Sequence, residues 1–108
     1  MSIENVEKNL SKTAALLKAF ANEKRLLIAC VLYRGECSVG ELEGVVGLSQ
    51  SALSQHLGRL RRDGLVKTRR DAQTIFYSLT DHDDDVQEFI EFLCHLNCPE
   101  RKKLSENS

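Results

Sequence analysis

The sequence has little of what a secreted or membrane protein needs. Its longest apolar stretch, from Leu26 to Tyr33, has eight residues, whereas a helix needs about 20 to cross a bilayer. The first residues, Met1 to Asn5, are polar and acidic, without the apolar region of a signal peptide. We therefore expect neither secretion nor membrane insertion, and the cytoplasm is the expected location.

Cysteine is also scarce, with four among 108 residues. That number is too small for a disulfide-stapled scaffold, and the chain lacks secretory features. In a reducing cytoplasm we expect these side chains to be mostly thiols. Each is then a core residue, a metal ligand or a redox centre: Cys30, Cys37, Cys94 and Cys98.

Length and composition predict a single folded domain. Hydrophobic residues make up 42% of the chain and charged residues 29%, which is typical of a globular protein and argues against general disorder. We expect residues 1–99 to form the domain and residues 100–108 to form a flexible tail. Because 108 residues bury only a small core, pairing with a second copy would add stability.

A formal net charge of −1 conceals a strong asymmetry along the chain. Residues 51–70 contain six lysine or arginine side chains and one carboxylate, a local net charge of +5. Residues 81–91 contain six carboxylates and no lysine or arginine. A basic middle beside an acidic flank predicts one surface that faces a polyanion, with the acidic segment directed away from it.

Apolar periodicity and capping residues predict a mainly α protein with one small β-hairpin. Asn22 and Ser49 are good N-cap residues, and Ser38 with Glu41 fits a capping box. The predicted helices cover residues 5–20, 23–33, 39–46, 50–62 and about 83–98, and the strands cover 65–70 and 74–79 around a turn at 71–73. The order short helix, glycine-containing turn, longer helix and basic hairpin is the pattern of a winged helix-turn-helix.

The longer helix of this motif has one face suited to DNA. Leu53, Leu57 and Leu60 fall together on a helical wheel and predict the buried side, while polar and basic residues occupy the opposite side. Glutamine and serine suit base edges, and arginine suits phosphates or guanine. An ordinary solvated face has a similar composition, but the basic hairpin adds a second cationic element. The residues expected to contact double-stranded operator DNA are Ser49, Gln50, Ser51, Ser54, Gln55, Arg59, Arg62, Lys67, Arg69, Arg70 and Gln73.

Four segments resemble the ArsR/SmtB family of bacterial repressors: Leu16–Ile28, Leu48–Leu57, Leu60–Val66 and Arg69–Tyr77. The resemblance covers roughly residues 12–98. It implies a homodimeric winged-helix protein that binds operator DNA, with the first and last helices at the dimer interface.

The last predicted helix carries an apolar stripe that agrees with a dimer interface. Its members follow the i, i+3, i+4, i+7 spacing of one helix face: Val86, Phe89, Ile90, Leu93 and Leu96. The stripe is wide for the core of one small monomer and suits a partner helix. Packing within the monomer core is the alternative.

Members of the family commonly release DNA when a metal binds, so a metal-responsive repressor is the alternative function. The segment 38–40, Ser-Val-Gly, occupies the place of the Cys-x-Cys pair of arsenic- and cadmium-type sensors, and Cys37 alone cannot build a thiolate site. Asp81, His82, Asp83 and His95 only partly match the zinc-type pattern. We therefore expect no metal ligand.

The thiol- and persulfide-sensing branch of the family is a better match. It resembles this chain at Arg25–Cys30 in the second helix and at Leu93–Cys98 near the end of the last helix. The resemblance implies that Cys30 and Cys98 form a sensor pair modified by reactive sulfur or oxygen species. From its apolar helix alone, Cys30 would be interpreted as a buried core residue.

The remaining two cysteines are additional to the sensor pattern. Cys94 and Cys98 share a helix face, but side chains four residues apart have β-carbons about 5–6 Å apart, whereas a disulfide needs about 3.8 Å. A bond between them would require unwinding. The roles of Cys37 and Cys94 stay open.

Two other classes of function are a small thiol enzyme and a winged helix that binds only protein. A small thiol enzyme has no support, because the chain lacks a glycine-rich phosphate loop, a Cys-x-x-Cys motif and a nucleophile elbow. We therefore expect no enzymatic activity and no cofactor. A winged helix that binds only protein would show no salt-dependent affinity for DNA.

Overall fold

The computed structural model describes residues 2–81 and 84–97. These residues form five α-helices and three short β-strands: α1 (Ile3–Phe20), α2 (Glu23–Arg34), β1 (Cys37–Ser38), α3 (Val39–Val46), α4 (Gln50–Arg62), β2 (Val66–Asp71), β3 (Thr74–Leu79) and α5 (Asp84–Asn97). The element order is that of a winged helix-turn-helix, so the predicted fold is confirmed. Helix α4 is the recognition helix, and the β2–β3 hairpin is the wing.

The predicted N-caps begin three of the helices. Asn22 Oδ1 accepts hydrogen bonds from the backbone N–H groups of Lys24 and Arg25, at 3.0 and 3.1 Å. At α3, Glu41 N–H donates to Ser38 Oγ (3.1 Å) and Ser38 N–H donates to Glu41 Oε1 (3.0 Å), which completes the capping box. These bonds are local in sequence, which is why sequence alone located the helix starts within a residue or two.

The turn between α3 and α4 is short and uses a left-handed residue. Gly47 follows α3 with φ of 70°, a conformation that strains residues with a Cβ atom. Ser49 then begins α4 by accepting a hydrogen bond from the Ala52 N–H at 3.2 Å. Lys24 Nζ donates to the carbonyl of Val46 at 3.2 Å and so ties α2 to the end of α3.

Helix α2 lies at the centre of the molecule. It contacts α1, α3, α4, α5 and β3, whereas α1 and α5 each pack chiefly against α2. Ile28 of α2 is completely buried, as are Leu42 of α3 and Leu60 of α4. Each such side chain contributes about 1.5–3 kcal/mol when it is buried. The recognition helix is therefore held on the body by its leucine face, with its polar face outward.

The sheet has one strand more than the sequence predicted. Strand β1 pairs antiparallel with β3, in the order β1-β3-β2, with Ser38 opposite Phe76. A strand of only two residues is too short to show periodicity in the sequence. The wing turn is also tighter than expected, because Asp71 pairs with Thr74 and leaves only Ala72 and Gln73 in the loop.

The apolar stripe of α5 divides between two surroundings. Ile90 is 1% exposed, and Val86, Phe89 and Leu93 pack against the core, whereas Leu96 is 65% exposed. Most of the stripe therefore packs against the monomer core, which is the alternative left open by the sequence, and Leu96 is the member that is largely exposed. The large apolar side chains that are exposed on α1 and α5 are Ile3, Leu10, Leu17, Phe92 and Leu96.

Within residues 2–81 and 84–97, none of the helices has the length and apolar character needed to cross a membrane.

Candidate DNA interface and thiol site

The recognition helix presents its predicted polar side chains on one exposed face. Exposed residues of α4 and its N-cap that were predicted to contact DNA are Ser49, Gln50, Ser51, Ser54, Gln55 and Arg62. Gly58 is also exposed, and a Cβ atom added there would meet no other atom within 4 Å. The amide, hydroxyl and guanidinium groups on this face are those that read base edges and bind phosphates.

Two predicted residues of this helix have structural partners. Ser49 Oγ accepts the capping hydrogen bond from Ala52, so its hydroxyl helps to orient the helix N-terminus. Arg59 Nε lies 3.1 Å from Asp63 Oδ2, an i,i+4 ion pair on the recognition helix. The i,i+4 spacing in the sequence suits such a pair, so Arg59, which is expected to contact DNA, also has a partner within the helix.

The wing is joined firmly to the end of the recognition helix. Gly64 ends the helix region with φ of 74°, and its carbonyl accepts a hydrogen bond from Thr80 Oγ1 at 2.6 Å. Thr80 N–H donates to the Leu65 carbonyl at 3.1 Å. Both ends of the hairpin are therefore bonded to each other directly after the recognition helix.

The predicted basic residues of the wing are all exposed, but two of them pair with carboxylates. Lys67 Nζ lies 3.7 Å from Asp81 Oδ2. Arg69 donates from Nη2 to Glu36 Oε1 at 2.8 Å and from Nε to Glu36 Oε2 at 3.2 Å. Arg70 and Gln73 are exposed on the hairpin.

The Glu36–Arg69 pair changes the ionisation of both groups. The hydrogen bond from Arg69 lowers the pKa of Glu36, and the charges of Arg69 and Lys67 act in the same direction. The same hydrogen bond raises the pKa of Arg69. Sequence reasoning missed Glu36 because it lies 33 residues from Arg69 and no local pattern joins them.

Cys30 lies in the central helix beside a small cavity. Its side chain is 6% exposed, and the cavity has a volume of about 210 Å³. The wall includes residues of α2 and the last residue of α5: Glu23, Leu26, Leu27, Cys30 and Asn97. Asn97 precedes Cys98 in the chain. Cys98 itself lies outside the described residues, so the predicted pair is represented by Cys30 alone.

The other two thiols occupy different places. Cys94 is buried in α5, at 4% exposure. Cys37 is half-buried on β1, and its Sγ donates to the Gly35 carbonyl at 3.7 Å. Burial raises the pKa of Cys37, and the charge of Glu41 raises it further. Cys37 is therefore a poor source of thiolate at neutral pH.

Only some residues of the partial zinc-type pattern lie within the described part of the chain. His82 and Asp83 lie outside the described residues, whereas Asp81 and His95 are described. His95 packs edge-on against Tyr33, with ring centroids 6.2 Å apart. Within the described part of the chain, no group of three or more His, Cys, Asp or Glu side chains could hold a metal ion.

Comparison with known proteins identifies the family. The model of the "Bacterial regulatory protein, arsR family" matches residues 22–68, from the N-cap of α2 into β2. The transcriptional activator HlyU of Vibrio cholerae is 55% identical over 98 residues, which cover 91% of this chain and 89% of HlyU. This chain belongs to the ArsR family. The family resemblance seen in the sequence is thus confirmed.

Solved structures of ArsR-family proteins have the same fold. Reduced HlyU from Vibrio cholerae superposes with a TM-score of 0.80 at 55% identity, covering 89% of this chain and 99% of HlyU. The transcriptional repressor BigR from Xylella fastidiosa superposes with a TM-score of 0.81 at 40% identity, covering 92% of this chain and 96% of BigR. The ArsR-family chain is a transcriptional regulator with a DNA-binding helix-turn-helix, not an enzyme.

Proposed function

We propose that this ArsR-family regulator acts as a homodimer whose binding to operator DNA is switched by oxidation or persulfidation of Cys30 and Cys98. The observation that supports it most is the cavity beside Cys30, because its wall includes Asn97, the residue that precedes Cys98. The cytoplasm, where the DNA is, is the proposed compartment.

The exposed apolar side chains of α1 and α5 support the homodimer. Leu10 and Leu17 on α1 are 61% and 51% exposed, and Phe92 on α5 is 62% exposed. Large apolar side chains exposed on two helices are typical of a surface that binds another protein. A two-fold dimer places two recognition helices in successive major grooves, about 34 Å apart.

Peroxide and a persulfide donor can each convert the two thiols into a covalent bridge between Cys30 and Cys98. With peroxide, the thiolate of one cysteine of the pair attacks an oxygen, the O–O bond breaks, hydroxide leaves and a sulfenic acid forms. The thiol of the other cysteine then attacks this sulfur, displaces water and forms the disulfide. With a persulfide donor R–S–SH, Cys30 takes the outer sulfur and releases RSH. The Cys98 thiol then displaces H₂S from the Cys30 persulfide and forms a disulfide. When Cys98 is itself a persulfide, its outer sulfur displaces the H₂S and a trisulfide forms.

The position of Cys30 explains how such a link could reach the DNA face. It lies on α2, which contacts α4 and is the main contact of both α1 and α5. A bond between α2 and the chain after α5 restrains the proposed dimer helix against the body that carries α4. In a dimer the change occurs twice, so a small shift alters the spacing or tilt of both recognition helices. A loss of about 3 kcal/mol would weaken binding by roughly two orders of magnitude.

The test combines mass spectrometry with DNA binding. The reduced protein is first used to select a DNA fragment from a random pool. Its affinity for this fragment is then measured before and after the protein is treated with glutathione persulfide or peroxide. We expect treatment to weaken binding in the unaltered protein, with a cross-link mass that joins Cys30 and Cys98. Cys30→Ser and Cys98→Ser should each bind DNA but not respond.

Cys37→Ser is the matched control for a thiol substitution. Because the pKa of Cys37 is raised, we expect this variant to retain the response. Inducible release in the Cys30→Ser/Cys98→Ser double variant would refute the proposed switch. If zinc or arsenite caused that double variant to release DNA, the metal-responsive alternative would be favoured.

A further inference from the structure

The wing arginine Arg69 is held in place on two sides. Its guanidinium donates two hydrogen bonds to the Glu36 carboxylate, at 2.8 and 3.2 Å. Its Cζ atom also lies 4.5 Å from the centre of the Phe76 ring, which pairs with Arg69 across the hairpin. A carboxylate at one edge and an aromatic ring at one face fix both the position and the plane of the guanidinium.

This arrangement leaves the guanidinium able to bind a second anion. A guanidinium has five N–H groups, of which the Glu36 carboxylate receives two. The Arg69 side chain is 53% exposed to solvent, so the remaining N–H groups can meet a phosphate without displacing Glu36. An arginine that is already oriented loses less rotamer freedom on binding than a free one.

Glu36 also connects the wing to the start of the helix-turn-helix. It directly precedes β1, in which Ser38 pairs with Phe76, and Phe76 pairs with Arg69. Ser38 is also the residue that caps α3. The carboxylate that orients Arg69 therefore belongs to the segment from which the first helix of the motif begins.

We propose that Glu36 is a positioning residue for DNA binding, which holds Arg69 so that its remaining N–H groups meet a DNA phosphate. A carboxylate of the protein thus strengthens the binding of a polyanion. The inference rests on the proposed place of Arg69 at the DNA interface. In the opposite case Glu36 would compete with the phosphate for Arg69, and its removal would strengthen binding.

The test measures DNA affinity over a range of salt concentrations for four variants. We expect Glu36→Gln to weaken binding by about tenfold, because Arg69 is held less firmly. The slope of log affinity against log salt concentration (the salt slope) should change little, because Arg69 still reaches its phosphate. Arg69→Ala should reduce the slope by about 0.9. The double variant should bind no more weakly than Arg69→Ala. Glu43→Gln, which removes the same charge from α3, should not weaken binding.

A spectroscopic measurement separates positioning from a general effect on the fold. We expect the NMR signal of the Arg69 Nε–H to exchange slowly with water in the unaltered protein and in Glu43→Gln, and rapidly in Glu36→Gln. Unchanged or tighter DNA binding by Glu36→Gln would overturn the inference alone. A loss of DNA affinity that is greater in the double variant than in Arg69→Ala would also overturn the inference. Absence of salt-dependent DNA binding by the unaltered protein would overturn the proposed function together with this inference.

Discussion

At the scale of single residues, Gly58 is unfavourable for the helix that contains it. Glycine costs about 1 kcal/mol relative to alanine inside a helix, and the space around an added Cβ atom is open in the free protein. Packing within the chain therefore does not explain this glycine. It lies on the exposed face of the recognition helix, where a bare backbone permits close approach to DNA.

We expect Gly58→Ala to stabilise the protein by about 0.5–1 kcal/mol and to weaken DNA binding. The matched control is Gly44→Ala, because Gly44 is also exposed within a helix and has open space around it. Denaturant unfolding and DNA titration measure the two effects. If Gly58→Ala bound DNA as well as Gly44→Ala does, close approach at this position would be excluded.

The Glu36 carboxylate predicts a pH dependence of stability. Because Arg69 and Lys67 lower its pKa in the folded protein, the pair contributes to stability above the unfolded glutamate pKa, about 4.3. That contribution is lost as the pH falls through the lower, folded pKa. We expect the difference in unfolding free energy between the unaltered protein and Glu36→Gln to shrink across this acidic range. A difference independent of pH would show that the charge of Glu36 does not act in this way.

At the scale of elements, the recognition helix carries side chains suited to two kinds of DNA contact, with phosphates and with base edges. Arg62 is exposed on the predicted DNA face of α4, whereas Lys8 is exposed on α1, outside the recognition helix and the wing. Lys8 therefore serves as the control for the removal of one positive charge.

We expect Arg62→Ala to weaken binding to all DNA sequences and to reduce the salt slope by about 0.9, since one phosphate contact is lost. Lys8→Ala should change the slope less. Affinity measured at several salt concentrations on selected and random DNA is the test. Equal slopes for the two variants would show that Arg62 makes no phosphate contact.

Gln55 is exposed on the same face and suits readout of a base. We expect Gln55→Ala to relax the sequence preference at one base pair by about 1–3 kcal/mol, with an unchanged salt slope. Binding to a set of single-base variants of the selected fragment measures this. A uniform loss over all variants would instead assign Gln55 to the DNA backbone.

At the scale of the whole molecule, α1 and α5 have apolar surface that the monomer does not cover. Phe92 on α5 is 62% exposed and Val45 on α3 is 60% exposed, so the two positions are matched in exposure. Only Phe92 lies on a helix of the proposed dimer interface.

We expect Phe92→Glu to yield folded monomers with weaker DNA binding, because charge is costly in a buried apolar interface. Val45→Glu should remain dimeric. Sedimentation measures the oligomeric state, and circular dichroism verifies the helix content. A Phe92→Glu dimer as stable as that of the unaltered protein would remove α5 from the interface.

What the sequence determined by itself is local. Asn22, Ser38 and Ser49 begin helices through hydrogen bonds that span two or three residues, and their side-chain chemistry is visible in the sequence. The leucine spacing of α4 likewise defined its buried face, and all three predicted leucines are buried. The winged helix-turn-helix could therefore be predicted before any coordinates.

What only the tertiary structure decided depends on contacts between distant segments. The Glu36–Arg69 pair spans 33 residues, and β1 has only two residues, so neither leaves a periodic pattern. The cavity beside Cys30 likewise exists only because the end of α5 lies over α2. Helical periodicity identifies an apolar face but not its partner, which is why the sequence left the α5 stripe open between a second copy and the monomer core, against which most of it packs.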